Sequence, residues 1–256
     1  KECHLESRHL GLVMPDEVEN LQEQVNLLAE TLQKTLDFEK ILAIAEGAEE
    51  LSGKMPESLR KVTESEAAAK VRAAKPILAV AKDEAFCFFY RDNLELLASL
   101  GAKIEYFSPL SDAEPPKNTD GFLFCGGYPE LHAAGLSANQ EMLAQLRAAH
   151  RRGVAIYAEC GGLMYLGSAL EVTGGERYAM ADIIPGYSRM GTRLTRFGYC
   201  EAQAQQQTLL AAPGEWLRGH EFHYSDFSPA TPAVLACRKQ RDGKTLQQWP
   251  GGWQSG

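Results

Sequence analysis

Cys160 has the sequence surroundings of a thiol nucleophile. It lies in the segment AECGGLMY (residues 158–165), between a short apolar run and an amphipathic stretch. A buried strand that turns sharply into a helix explains this pattern and leaves Cys160 at the apex. Because an apex residue has strained backbone angles, its neighbours must be small, as Ala158 and Gly162 are. We expect the helix N-terminus to lower the pKa of the thiol, although an inert core cysteine is the alternative.

A thiol nucleophile needs a base, and the segment GHEFHYS (residues 219–225) supplies the best candidate among six histidines. This segment has the pattern of a strand, whose alternation puts Glu221 and His223 on one face and His220 on the other. Two histidines three residues apart on a strand diverge, so we predict no metal site.

An acyl-transfer site also needs donors for an oxyanion, and the segment GGYPE (residues 126–130) follows a buried strand. Glycine lets backbone N–H groups approach a ligand closely, so Gly126, Gly127 and Tyr128 are candidates. An ordinary strand-to-loop turn is the alternative. A second loop, DEAFCFFYRDN (residues 83–93), carries four aromatic residues. These form either part of the core or a flat wall for a large planar ligand.

The elements that must position these residues alternate between strand and helix from Lys75 onward. We predict strands over residues 77–81, 103–107 and 121–125 and before Cys160, with helices over 93–100 and 139–150 between them. This order predicts an α/β fold with a mostly parallel sheet and helices on both faces. The carboxyl ends of the strands, where Cys160 and Gly126 fall, are the expected place for catalytic groups. Short strands over 178–183 and 195–202 indicate an antiparallel extension.

The region before residue 73 differs, because it is helical and acidic. Apolar residues at three- and four-residue steps predict an amphipathic helix from Leu21 to Leu36 that starts near Pro15. A second helix is predicted over residues 38–51 and a linker over 55–74. The segment GAEELSGKM (residues 47–55) has one residue too many between its glycines for a phosphate loop and lacks the Ser or Thr. We therefore predict no nucleotide site there.

Composition excludes several classes of protein. The chain has 256 residues, 45% of them hydrophobic, and a net charge of −8, which argues against bulk nucleic-acid binding. Six cysteines without a C-x-x-C pair indicate a reducing, cytoplasmic setting. No apolar run is long enough for a membrane span, and the start has no signal-peptide pattern.

Taken together, these motifs resemble the cobyrinic acid a,c-diamide synthase family. The resemblance is carried by residues 77–112, by GGYPE, AECGGLMY and GHEFHYS, and by ESRHLGLV (residues 6–13). It implies a class I glutamine amidotransferase-like, flavodoxin-like domain over residues 73–256. It also implies that residues 1–72 are the C-terminal remnant and linker of a dethiobiotin synthetase-like, phosphate-loop ATP-binding domain.

The resemblance also implies roles for residues. Cys160 would attack the amide of glutamine to form a glutamyl thioester, with His223 as base and then acid. Gly127 and Gly161 would hold the oxyanion, and Glu221 is a hypothetical orienting residue. The segment with Asp83, Phe86, Tyr90 and Asn93 would face the corrinoid.

The implied enzyme is a ligase that amidates the a and c carboxylates of cobyrinate in cobalamin biosynthesis. It would use ATP and Mg²⁺ in an N-terminal domain and no cofactor in the amidotransferase domain. Its partners would be glutamine, the corrinoid and its own ATP-binding domain, and a homodimer stays open.

Two departures qualify the resemblance. Many related amidotransferases have a glutamate where this chain has Ser225, so we expect a dyad. The phosphate loop is missing, so we expect a fragment of the enzyme. Three alternatives stay open: hydrogenobyrinic acid as substrate, a cysteine peptidase or glutamyl hydrolase of the same fold, and a non-catalytic corrinoid-binding module.

Overall fold

A computed structural model describes residues 7–11, 13–50 and 53–256. Contacts divide the chain into two units, which separate between Ser65 and Glu66. We predicted a boundary between residues 72 and 73, whereas the contacts assign residues 66–72 as well to the second unit. The origin of the first region in an ATP-binding domain stays a prediction.

The first unit is helical, as its apolar spacing predicts. It contains a 3-10 turn, Pro15–Glu17, and the helices α1 (Leu21–Thr35), α2 (Phe38–Glu46) and α3 (Glu57–Thr63). Pro15 begins the separate turn and not α1 itself. Helix α2 ends earlier than predicted, and Leu51 lies outside the described residues. Asp37 caps α2 by accepting a hydrogen bond from the N–H of Lys40 at 3.0 Å.

The predicted linker is helical in the structure. Its first part forms α3, and its alanine-rich part forms helix α4 (Glu66–Ala74) at the start of the second unit. Alanine, glutamate and lysine are strong helix formers, so a charged, alanine-rich segment without glycine folds into helices when its ends are anchored.

The predicted α/β fold is confirmed in the second unit. Strands β1 (Ile77–Ala81), β2 (Lys103–Phe107), β3 (Gly121–Phe124) and β4 (Ala155–Ala158) form a sheet in the order β2-β1-β3-β4, and all its pairs are parallel. Helices α5 (Arg91–Ser99), α6 (Ala133–Ala138), α7 (Gln140–Arg151) and α8 (Gly161–Leu166) flank it. Parallel strands need such crossovers because their ends lie at opposite edges.

The predicted antiparallel extension is larger than the sequence indicates. Strands β5 (Ala169–Glu171), β6 (Arg177–Ala179), β7 (Gly186–Met190) and β10 (Ser225–Pro229) form one sheet in the order β10-β7-β5-β6. In this sheet β5 and β7 are parallel, against the expectation, and the other pairs are antiparallel. Strands β8 (Arg196–Ala204), β9 (Trp216–His223), β11 (Leu235–Arg241) and β12 (Lys244–Gly251) form another, in the order β12-β11-β8-β9. The GHEFHYS segment therefore ends one strand and begins the next, with Tyr224 between them.

Aromatic side chains fill the core beside the parallel sheet. Phe86 packs edge-on against Tyr165 and Phe124, with ring centroids 5.4 and 5.8 Å apart, and all three are fully buried. Leu143 and Leu146 of α7 belong to the same core. Edge-to-face aromatic pairs are worth about 0.5–1.5 kcal/mol beyond their area burial, so this cluster fixes the loop after β1 against α8.

Candidate functional site

The predicted strand–turn–helix around Cys160 is confirmed. Cys160 lies between β4 and α8 with φ +50° and ψ −114°, a conformation that L-residues seldom adopt. Two hydrogen bonds hold the turn against the neighbouring strand: the N–H of Glu159 donates to the carbonyl of Phe124 at 3.0 Å, and that of Gly162 donates to Cys125 at 3.1 Å. The backbone after β3 thus supports the strained residue.

The two residues that follow Cys160 must be small, because atoms of neighbouring loops and strands lie very close to them. A Cβ at Gly162 would lie 2.5 Å from the carbonyl oxygen of Phe124, and a Cβ at Gly161 would lie 2.9 Å from the Pro129 ring. Since real Cβ atoms do not come that close to other heavy atoms, neither position accepts a side chain without movement of the backbone.

The pKa of the Cys160 thiol is raised, to about 11, so the expectation of a lowered pKa is wrong. Desolvation is the main cause, and the carboxylates of Glu130 and Glu159 add to it. The N–H of Gly161, which donates to the sulfur, acts in the opposite direction. Helix α8 has only six residues, so its dipole is weak. Cys160 as a residue is nonetheless exposed.

Gly127 presents the best oxyanion donor. Its N–H makes no hydrogen bond within the part of the chain that the structure describes. A Cβ at Gly161 would lie 3.2 Å from this nitrogen, so the N–H is beside the first residue after Cys160. A Cβ at Gly127 itself would lie 2.1 Å from the carbonyl oxygen of Ala85, which explains why the loop needs glycine here.

The other two loop candidates have different roles. The N–H of Tyr128 donates to Ala85 at 3.0 Å, so it is not free to bind an oxyanion. Gly126 lies beside Cys160, because a Cβ added at Gly126 would be 3.4 Å from the Cβ of Cys160. Its carbonyl accepts a hydrogen bond from the N–H of Phe88 at 3.0 Å.

His223 ends β9 and is oriented by the backbone. Its Nδ1 lies 2.8 Å from the carbonyl oxygen of Ser225, and because a carbonyl can only accept, Nδ1 carries the hydrogen. In the neutral ring Nε2 then bears the lone pair that a general base needs. Ser225 thus contacts the imidazole through its main chain.

Glu221 lies on the same face as His223, as the strand alternation predicts. Its Oε1 is 3.8 Å from Nε2, an ion-pair distance, and both side chains are half-buried. Desolvation lowers the pKa of His223, but the Glu221 carboxylate and the Ser225 carbonyl together outweigh it, and the net shift is upward. Glu221 therefore favours the imidazolium.

The structure does not bring Cys160 and His223 together. Within the described residues no hydrogen bond joins them. Neither residue is among the groups that shift the other's pKa. The imidazole and the thiol must therefore approach one another before a proton can pass between them.

The segment predicted to face a corrinoid divides into core and surface. The structure buries Phe86 completely, which corrects its assignment to an exposed wall. The Asp83 carboxylate is only half-buried, and its oxygens accept hydrogen bonds from the surrounding loop. Tyr90, 76% exposed, and Asn93 face solvent at the start of α5. The four aromatic residues lie in a loop and follow no helix or strand period, so the sequence could not predict which of them are buried and which are exposed.

Three contributions to the site were missed from the sequence. They are the carboxylates of Glu130 and Glu159 near the thiol and the carbonyl of Ser225. The adjacency of Glu159 to Cys160 was a usable signal. Glu130 comes from another loop, and a main-chain carbonyl has no sequence signature.

Sites of other kinds are not evident in the described residues. The segment at Gly47 follows helix α2 and not a strand, so it lacks the setting of a phosphate loop. Within residues 7–11, 13–50 and 53–256, no group of three His, Cys, Asp or Glu side chains is placed to hold a metal ion. No helix in those ranges has the length and apolar character to cross a bilayer.

Comparison with known proteins defines the class. Residues 77–255 match the family model of the CobB/CobQ-like glutamine amidotransferase domain, and the chain belongs to this family.

Among individual relatives, the cobyrinate a,c-diamide synthase of Salmonella typhimurium is 56% identical over 98% of this chain. The protein of the same name from Listeria innocua is 42% identical, again over 98% of the chain. Each match covers 53% of the relative, so the chain spans about half the length of these relatives. Among solved structures, PurLQS from Thermotoga maritima aligns over 66% of this chain and 77% of its own, with 16% identity and a TM-score of 0.47.

Proposed function

We propose that residues 73–256 are the glutamine-hydrolysing part of an ATP-dependent cobyrinate a,c-diamide synthase. The observation that carries the proposal is the strained turn at Cys160 beside the N–H of Gly127, which has no hydrogen-bond partner among the described residues. A nucleophile next to a preorganised donor is the minimum arrangement for acyl transfer. Membership of the amidotransferase family and the identity to two cobyrinate a,c-diamide synthases support the choice of glutamine and cobyrinate.

The reaction follows from these groups. His223 Nε2 takes the thiol proton while the sulfur of Cys160 bonds to the side-chain amide carbon of glutamine. The oxyanion that forms accepts hydrogen bonds from the N–H of Gly127 and from that of Gly161, which must first leave the sulfur of Cys160. Collapse of this intermediate breaks the C–N bond, and the imidazolium protonates the departing ammonia. Water, with His223 again as base, then hydrolyses the thioester to glutamate and free thiol.

In the whole synthase, the ammonia would amidate the a and c carboxylates, after ATP with Mg²⁺ has activated them. We assign that activation to the ATP-binding domain of which residues 1–72 would be the end. The negative net charge and the absence of a phosphate-loop setting in the described residues support this division.

Labelling with a diazoketone analogue of glutamine tests the proposal. The analogue should alkylate Cys160 alone, and Cys160→Ser should abolish both labelling and glutamate release. Cys200→Ser is the matched control, because Cys200 is a half-buried thiol on strand β8. It should retain both activities.

Two results would contradict the proposal. A folded protein that is not labelled at Cys160 would leave only a non-catalytic role. Release of glutamate from peptides or polyglutamate, with no release from free glutamine, would identify a hydrolase of another specificity.

A further inference from the structure

Asp83 is the centre of a hydrogen-bond network that the proposed reaction does not use. Its Oδ1 accepts from the N–H groups of Ala85 and Phe86, at 2.9 and 3.1 Å. Its Oδ2 accepts from the hydroxyl of Ser108 at 2.9 Å and the N–H of Leu110 at 3.0 Å. One carboxylate at the end of β1 therefore ties its own loop to the loop after β2. Hydrogen bonds to a charged acceptor are roughly twice as strong as neutral ones.

The loop that Asp83 fixes holds the backbone around Gly127. Within that loop, the carbonyl of Ala85 accepts from the N–H of Tyr128 at 3.0 Å, and the N–H of Phe88 donates to the carbonyl of Gly126 at 3.0 Å. These two bonds fix the residues on either side of Gly127. Gly127 itself packs so closely against the carbonyl of Ala85 that a Cβ would not fit between them.

This arrangement determines where the Gly127 N–H points. Because the peptide on each side is hydrogen-bonded and the Ala85 carbonyl blocks one face, the amide has little freedom to rotate. We propose that Asp83 is a positioning residue for the oxyanion donor, acting through the turn at residues 83–88. The inference rests on the proposed glutaminase function. It assigns Asp83 a role different from contact with a corrinoid.

Asp83→Asn separates the two halves of the network. In this variant the amide oxygen can still accept hydrogen bonds from the N–H groups of Ala85 and Phe86. The amide nitrogen would face the N–H of Leu110, and because both groups are donors, that hydrogen bond is lost. Loss of a whole oxyanion donor costs about 100- to 1,000-fold in kcat, so a misdirected donor should cost about 10- to 100-fold. The KM for glutamine should change less than about threefold.

The experiment measures glutamate release by the full chain, together with methylthiolation of Cys160 by methyl methanethiosulfonate, which forms the disulfide Sγ–SCH3 and releases methanesulfinate. This reagent has no carbonyl and needs no oxyanion donor, so its rate should be the same in Asp83→Asn and the parent protein. Asp120→Asn is the matched control, because Asp120 also accepts from a backbone N–H, that of Ile77 at 2.8 Å, where β1 begins. It should leave kcat unchanged.

Each outcome decides a different point. An unchanged kcat in Asp83→Asn, or equal losses in turnover and in the rate of methylthiolation, would overturn the positioning role. If the parent protein itself neither releases glutamate nor reacts with the diazoketone, the proposed function fails instead. Should Asp83→Asn not fold, Ser108→Ala removes a single hydroxyl, and a kcat within twofold of the parent would overturn the inference.

Discussion

The pKa values of the two candidate catalytic residues are both raised in the structure described. The thiol of Cys160 is kept neutral by desolvation and by two carboxylates, and the imidazole of His223 is favoured as a cation by Glu221. A thiol must lose its proton to a base before it can attack an amide. Substrate binding must therefore change the surroundings of the thiol as well as its distance from the imidazole.

Glu221→Gln should shift the acid side of the pH profile of glutaminase kcat/KM to lower pH. The upward shift in the His223 pKa comes in part from the Glu221 carboxylate, so a neutral amide lowers that pKa and keeps the base available in more acidic solution. A full profile from about pH 5 to 9 measures the change. Glu201→Gln is the control, because Glu201 pairs with Arg238 and alternates to the other face of the same sheet.

An unmoved profile in Glu221→Gln would exclude an electrostatic effect of Glu221 on the reacting histidine. A profile that moves equally in Glu201→Gln would point to the general charge of the sheet.

At the scale of elements, the site lies where strand β4 of the parallel sheet is followed by helix α8. Strand β3 supports the turn at Cys160 through the carbonyls of Phe124 and Cys125, and the loop after β3 brings Gly127 to the same place. Catalytic groups at the carboxyl ends of adjacent parallel strands follow from this topology.

Gly162→Ala should destabilise the fold by about 1–3 kcal/mol, the usual cost of forced overpacking. The added methyl would lie 2.5 Å from the Phe124 carbonyl oxygen, so α8 must move away from β3. Urea unfolding measures the change in free energy. Gly53→Ala is the control, since a Cβ there meets nothing within 4 Å and φ is not positive. Equal stability of Gly162→Ala and the parent would mean that the turn adapts freely.

The sequence predicted the parts of the site that depend on local spacing. Small residues around Cys160 indicated the turn, and period-two alternation put Glu221 beside His223. The pKa of the thiol was mispredicted because Glu130 arrives from a different loop and desolvation depends on the packed surroundings. The break at Tyr224 was not foreseen, since GHEFHYS has the pattern of one continuous strand.

At the scale of the molecule, buried thiols make the free energy of unfolding fall at alkaline pH. Burial raises the pKa of Cys125 and of Cys237 to about 11 each, and both residues are buried. Below the pKa of an unfolded thiol, near 9.0, both states are neutral and this contribution to stability is fully present. As pH rises towards 11 the unfolded chain ionises first, so stability is lost.

We therefore expect the free energy of unfolding to fall between about pH 8 and pH 10.5, by on the order of 1–2 kcal/mol for each of these thiols. Cys125→Ala removes one ionising group, so its loss over the same interval should be smaller than that of the parent. Urea unfolding with a reductant present, at both pH values, gives the difference. A variant with the same pH dependence as the parent would contradict this account.

The hydrogen bond between His223 and the Ser225 carbonyl has a consequence for mutagenesis. Because the acceptor belongs to the main chain, replacing the side chain at position 225 leaves it in place. An alanine scan would therefore pass over the group that selects the imidazole tautomer. Only a change in the path of the backbone around Tyr224 would remove this hydrogen bond. The tautomer of His223 is therefore determined by the fold of the main chain and not by any one side chain.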